Sequence, residues 1–152
     1  MATTISNAPL TVTITESVNL NGSEQGATNT IEITGIDEIT KRIVEVPTSE
    51  KTLVSFHATA ISTGTYLEGD VRYIRLTNKD DTNYITLNIE GDASTDFSVR
   101  LDPYASFLIT SSSATGVVDY ADISGATLED LTAIKATANS GACDLELFVA
   151  CV

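Results

Sequence analysis

Basic residues, histidine, cysteine and tryptophan are all scarce in this sequence. Its 152 residues include 8 Lys and Arg against 21 Asp and Glu, for a formal net charge of −13, with one histidine, two cysteines and no tryptophan. A surface of that charge repels phosphate backbones and anionic lipid headgroups. We therefore expect neither a nucleic-acid partner nor a membrane partner, and we expect the charge to favour solubility at high concentration.

Long apolar runs are also absent. No window approaches the roughly 18 apolar residues of a membrane-spanning helix. The N-terminal segment Met1–Leu10 has no positive charge and no continuous apolar stretch, unlike a secretion signal. These features predict a protein that is made and assembled in a cytoplasm.

Motifs for catalysis or cofactor binding are missing. The nine glycines fit neither the dinucleotide-binding nor the P-loop pattern, and there is no Gly-x-Ser-x-Gly elbow. The single histidine, His57, falls on the polar side of a predicted strand with no partner near it in sequence. Without tryptophan the chain lacks the aromatic platforms common in sugar-cleaving sites. We predict that the protein is not an enzyme and has no catalytic or cofactor-binding residue.

Two acidic turns deserve a metal-binding interpretation alongside a simpler one. Asp80 and Asp81 are close to Asn83 in sequence, and Asp92 is close to Asp96. If the turns bring these side chains together, their oxygen atoms are suited to bind calcium. Neither turn matches an EF-hand loop, and short acidic turns are usually solvated connections. One histidine and two cysteines are too few for a four-ligand zinc site. We predict no metal site.

The two cysteines, Cys143 and Cys151, belong to one predicted strand. Eight residues of extended chain separate them by about 26 Å, whereas a disulfide requires Cα atoms within roughly 7 Å. The spacing excludes an intrachain disulfide and favours reduced thiols that act as small core hydrophobes. A disulfide between copies of the chain is the alternative.

What the chain does have is apolar and polar residues in alternation, interrupted by Gly, Asn, Asp and Ser. Leu10, Val12 and Ile14 alternate with threonines, and Asn21-Gly22 suits a tight hairpin turn. The pattern predicts an all-β fold: a single-domain sandwich or jelly roll of about eight to ten short antiparallel strands with little helix. We assign residues 1–9 to an N-terminal arm and residues 10–152 to the domain. One helical turn is predicted at Thr127–Asp130 from its capping-box pattern.

Aromatic residues are few, and their positions suggest two uses. The phenylalanines fall on predicted strand faces and are expected in the core; they are Phe56, Phe97, Phe107 and Phe148. The tyrosines lie near strand ends or turns, where the ring suits packing or a partner contact equally well. They are Tyr66, Tyr73, Tyr84, Tyr104 and Tyr120.

The span Val71–Ile109, about a quarter of the chain, resembles small β-rich virion proteins of tailed bacteriophages. The resemblance lies in a repeated order of strand, Asn, polar turn, strand, Leu-x-Pro and strand. It is carried by Val71–Asn78, Asn83–Ile89, Phe97–Pro103 and Ser106–Ile109.

The resemblance implies a structural component of a phage particle, most simply a capsid decoration or cement protein on the outer surface of the head. Its partners would be the major capsid protein or other virion proteins, and the subunit would form a homo-oligomer, with a trimer favoured. Stabilisation would come from burial across subunit junctions and strand addition by the arm. A tail, neck or fibre subunit, or a receptor-binding or carbohydrate-binding β module, is the alternative.

Overall fold

The structure is a computed structural model that describes residues 5–59, 65–92, 96–111, 120–121 and 128–152. Over these ranges the chain forms strands and no helix, which confirms the predicted all-β class. The strands are β1 (Ala8–Thr15), β2 (Asn19–Leu20), β3 (Ser23–Glu24), β4 (Thr28–Ile36), β5 (Glu38–Val46), β6 (Lys51–His57), β7 (Thr65–Leu67), β8 (Val71–Asn78), β9 (Ile85–Gly91), β10 (Asp96–Leu101), β11 (Ser106–Thr110), β12 (Tyr120–Ala121), β13 (Leu128–Glu129), β14 (Leu131–Ala138) and β15 (Cys143–Cys151).

Two sheets pack face to face as a sandwich. The five-stranded sheet has the order β10-β9-β14-β6-β7, and the four-stranded sheet has the order β11-β8-β15-β5. Strict alternation builds the core: in β9, for example, Ile85, Leu87 and Ile89 are buried while the residues between them are partly exposed. One apolar cluster contains buried side chains from both sheets, including Phe56, Ile74, Leu76, Ile134, Leu145 and Leu147.

The four-stranded sheet is apolar on part of its outer face as well. In β15 the side chains of Leu145, Leu147 and Val149 point into the sandwich, while Phe148 and Ala150 point away from it. Strands β1 and β4 form a separate two-stranded ribbon that covers this outer patch. The resulting second cluster contains Leu10, Val12, Ile31, Ile33, Ile36, Tyr73, Leu108, Phe148, Ala150 and Val152.

Three details differ from the sequence-based predictions. Strands β6 and β7 pair in parallel, whereas only antiparallel pairing was expected. The predicted helical turn is wrong, because Leu128 and Glu129 form β13 and pair with β12; Thr127 lies outside the described residues. Ala8 and Pro9, assigned to the arm, belong to β1, where Ala8 pairs with Ile36.

Phe97 is exposed and not in the core. It lies on β10, the edge strand of the wider sheet, where Leu101 is buried, Val99 is half-buried and Phe97 is outermost. At this sheet edge, 41% of the Phe97 side chain is exposed. Phe56 is buried as predicted, and the other two phenylalanines pack against the two clusters.

Asn78 is the one fully buried polar side chain among the described residues. Its Nδ2 donates hydrogen bonds to the carbonyl oxygens of Asn83 (2.8 Å) and Leu101 (3.2 Å). Its Oδ1 accepts the backbone N–H of Asp80 at 3.0 Å. A single amide thus joins the end of β8, the β8–β9 loop and the end of β10.

We expect Asn78→Ala to lower the free energy of unfolding by about 2–4 kcal/mol, because it leaves buried backbone groups without partners. Urea denaturation at fixed protein concentration measures this loss. Asn139→Ala is the matched control, since it removes an exposed amide and should change stability by no more than about 0.5 kcal/mol. Equal effects of the two substitutions would contradict the role given to Asn78.

Candidate interaction surface

The β1–β4 ribbon is longer than the part that packs on the sandwich. Its pairing runs without a bulge from Leu10 opposite Ile33 to Thr15 opposite Thr28. Backbone hydrogen bonds then continue it, from Glu16 N–H to the Ala27 carbonyl and from Gln25 N–H to the Val18 carbonyl, each at 2.8 Å. Strands β2 and β3 close its far end.

The far end of the ribbon is built by local chemistry. Asn21 and Gly22 have φ of 52° and 81°, as expected for a hairpin turn in which both central residues are left-handed. The Glu24 carboxylate accepts the N–H groups of Val18 (2.9 Å) and Gly26 (2.8 Å), and these hydrogen bonds lower the pKa of Glu24. A Cβ on Gly26 would overlap the Glu16 carbonyl oxygen, so this position requires glycine.

One face of the ribbon carries an apolar stripe, of which only the first part is covered by the four-stranded sheet. Even-numbered residues from Leu10 to Ile14 share a face of β1, and the backbone hydrogen bonds at Glu16 and Val18 keep the same register as far as Leu20. Leu10 and Val12 pack on the four-stranded sheet, whereas Ile14, Val18 and Leu20 are 43%, 52% and 62% exposed. Among the described residues, β1 and β4 pair only with each other, so both also have a free backbone edge.

A second exposed apolar surface lies on β5, at the edge of the four-stranded sheet. Ile39 and Ile43 are 57% and 64% exposed on its outer face, with Lys41 between them. In the pairing with β15, Ile39 is opposite Ala150, Lys41 is opposite Phe148 and Ile43 is opposite Glu146. The surface therefore adjoins the patch that the ribbon covers.

Charged groups neighbour this second surface. Glu146 contacts Arg75 at 2.5 Å and Lys41 at 3.6 Å, and the hydrogen bond from Arg75 is the main cause of the lowered pKa of Glu146. Because Arg75 is the closer partner of Glu146, Lys41 has the weaker share of that carboxylate. The Lys41 side chain is 60% exposed, so it is accessible to an acid of another molecule in addition to Glu146.

Both cysteines are buried at the two ends of β15 and form no intrachain disulfide, as predicted. Burial raises the pKa of both thiols, that of Cys151 to about 12. A thiol that is buried and protonated at neutral pH is a poor nucleophile.

We expect neither thiol to react with an aromatic disulfide reagent at pH 7 in the native protein, and both to react once urea has unfolded the chain. Absorbance of the released thiolate counts the reacting groups. Rapid reaction of either cysteine without urea would contradict the burial described above.

His57 is exposed, in agreement with its predicted position on the polar side of a strand. It lines a cavity of 210 Å³ together with Glu68, Asp92 and Asp130. Burial is the main cause of a raised pKa for Glu68; the Asp130 and Asp92 carboxylates add to it, and His57 opposes it. Within the described part of the chain, no three His, Cys, Asp or Glu side chains are arranged to hold a metal ion.

A carboxyl group with a raised native pKa destabilises the fold when it is ionised. Its penalty is therefore largest at neutral pH and disappears as the pH falls below the unfolded value of roughly 4.3. We expect Glu68→Gln to raise the melting temperature at pH 7 by roughly 1–2 °C and to give no gain at pH 4. Thermal melts at the two pH values test this; an equal gain at both would show that charge is not the cause.

The acidic turns act mainly on their own backbone. Asp80 Oδ1 accepts the N–H groups of Thr82 (2.8 Å) and Asn83 (2.6 Å), and these hydrogen bonds lower its pKa. Asp81 accepts the Thr82 hydroxyl at 2.8 Å. Asp92 and Asp96 border residues 93–95, which lie outside the described ranges. The hydrogen bonds that Asp80 makes within the β8–β9 loop therefore account for the presence of a carboxylate at this position.

The tyrosines divide between packing and exposure. Tyr66 and Tyr73 are buried, and Tyr73 meets Phe148 edge to face with ring centroids 5.8 Å apart. Tyr84 lies 4.0 Å beneath the Arg100 guanidinium, and Tyr104 is exposed in the β10–β11 loop. The side chain of Tyr120 lies outside what the structure describes.

No known protein family, curated protein or solved structure matches this chain. Among its described residues there is no helix long and apolar enough to cross a membrane. The ribbon and the outer face of β5 were not singled out from sequence. One available signal was the complete lack of Lys and Arg before Lys41, which separates the ribbon in composition from the rest of the chain.

Proposed function

We propose that the protein is a structural subunit of a phage particle, most simply a capsid decoration protein, and that the β1–β4 ribbon is its assembly arm. The observation that carries this proposal is the apolar stripe of the ribbon, which continues past the sandwich as Ile14, Val18 and Leu20. A two-stranded hairpin alone is marginally stable in water. A neighbouring subunit that covers the stripe would remove apolar surface from water and order the arm.

Two further features support a role on a particle surface. The stretch that resembles tailed-phage virion proteins corresponds to β8, β9, β10 and β11, which lie in both sheets of the sandwich. The net charge of −13 suits a subunit that accumulates to high concentration before it joins a particle.

In this proposal the segment before β1 makes the contact with the capsid. Ile5 is 72% exposed and lines an apolar cavity of 280 Å³ with Pro9, Ile36 and Ile39. An exposed apolar side chain close to the start of β1, whose outer edge is unpaired among the described residues, is suited to strand addition on a capsid subunit.

The proposal predicts that the chain binds heads assembled from the major capsid protein encoded in its own genome. Sedimentation of heads with increasing amounts of the chain should saturate at a fixed ratio of copies. Deleting residues 1–7, which leaves β1 intact, should lower the affinity at least about tenfold because it removes the apolar anchor.

The control is Asn139→Ala, which should bind heads like the unmodified chain. Circular dichroism and thermal melting establish that the deletion variant is folded. Failure of the full chain to sediment with heads would overturn the decoration role, and association with tails in place of heads would assign the subunit to the tail.

A further inference from the structure

The interface between the ribbon and the four-stranded sheet leaves two surfaces uncovered, the far part of the ribbon stripe and the outer face of β5. Inside the chain, the near half of the ribbon packs on the outer face of the four-stranded sheet through Val12, Tyr73 and Phe148. Beyond that contact, the ribbon stripe continues as exposed residues, and the outer face of the sheet continues onto β5 as exposed residues. Each uncovered surface is the continuation of one side of the same interface.

The two surfaces also match in spacing and charge. Along the ribbon the order on one face is Ile14, Glu16 and Val18; along β5 it is Ile39, Lys41 and Ile43. Each is an apolar, charged and apolar series at every second residue, and the central charges are opposite. The ribbon has no Lys or Arg at all, so its acids have no basic partner of its own.

We propose that the far half of the ribbon of one copy packs on the outer face of β5 of a second copy, with Glu16 paired to Lys41. This inference deepens the proposed function and rests on it, since it names the neighbour that the assembly arm contacts. The ribbon does not make this contact within its own chain, because Ile14, Val18, Leu20, Ile39 and Ile43 are all exposed.

A second copy is the occupant that the internal interface favours. The ribbon already recognises this sheet, in the same chain, by laying its apolar face on Phe148 and Ala150. Extending that contact to β5 of a neighbour uses the same kind of surface, and every copy both gives a ribbon and receives one. Where the rotation between copies closes, such an exchange gives a dimer or a ring in which every ribbon stripe is covered.

The first test is the mass of the full chain in solution. Light scattering coupled to size exclusion should give a closed oligomer at about 100 µM, and Leu20→Asp should weaken its association at least about tenfold. Tyr104→Asp is the matched control: the residue is similarly exposed, lies outside both surfaces and has φ of 60°, which Asp tolerates. A monomeric unmodified chain, or equal effects of the two variants, would overturn the inference.

The second test separates the pairing from any loss within one chain. Glu16→Lys and Lys41→Glu should each weaken association about tenfold, and the double variant should recover most of it. Lys41→Glu also removes the contact with Glu146, but Glu16→Lys has no means to repair that contact. Recovery in the double variant therefore reports the contact between copies, and a double variant as weak as the single ones would overturn it.

The outcomes also distinguish this inference from the proposed function. A monomer that still saturates heads would overturn the contact between copies and leave the decoration role intact. An oligomer that obeys the charge-exchange test but does not bind heads would support the contact and overturn the decoration role.

Discussion

Strand β15 carries apolar side chains on both faces, and this constraint decides the architecture around it. Leu145, Leu147 and Val149 need the five-stranded sheet as cover, and Phe148 and Ala150 need cover on the opposite side. A chain with only two sheets would leave the second set in water at a cost that grows with its apolar area. The ribbon meets this requirement, so the molecule has a partial third layer over one face of the sandwich.

The third layer is also where the apolar cover is incomplete. A ribbon long enough to hold its hairpin turn extends beyond the patch it covers, and β5 extends the same sheet face past the ribbon. Elsewhere in the described residues the polar groups are well satisfied: Asn78 uses its amide fully, and no buried side-chain N or O lacks a partner. Within the described residues, the incomplete feature is therefore the cover of apolar surface on the ribbon and on β5.

The basic side chains differ in how far their charge is paired within the chain. Most basic side chains are tied to acids or carbonyl oxygens of the same chain, as Arg75 is to Glu146 and Lys135 is to Glu90. The excess of acids gives every copy of the chain the same sign of charge, which opposes association unless a basic group meets an acid. Lys41 is exposed between Ile39 and Ile43, so at this place a partner could gain both an ion pair with Lys41 and burial of the two isoleucines.

Alternation along the chain was enough to predict the all-β class, the inward residues of strands such as β9, the Asn21-Gly22 turn and the burial of both cysteines, because these depend on local geometry and side-chain polarity. Local sequence does not show which strand will lie at the edge of a sheet, so the exposure of Phe97 on β10 was missed. Nor did it reveal that Leu128 and Glu129 would find a strand partner. The same limit hid the candidate surface. Ile14 and Ile39 alternate like any core residue, and only the tertiary structure, which sets how far each sheet extends over its neighbour, decided that they remain in contact with water.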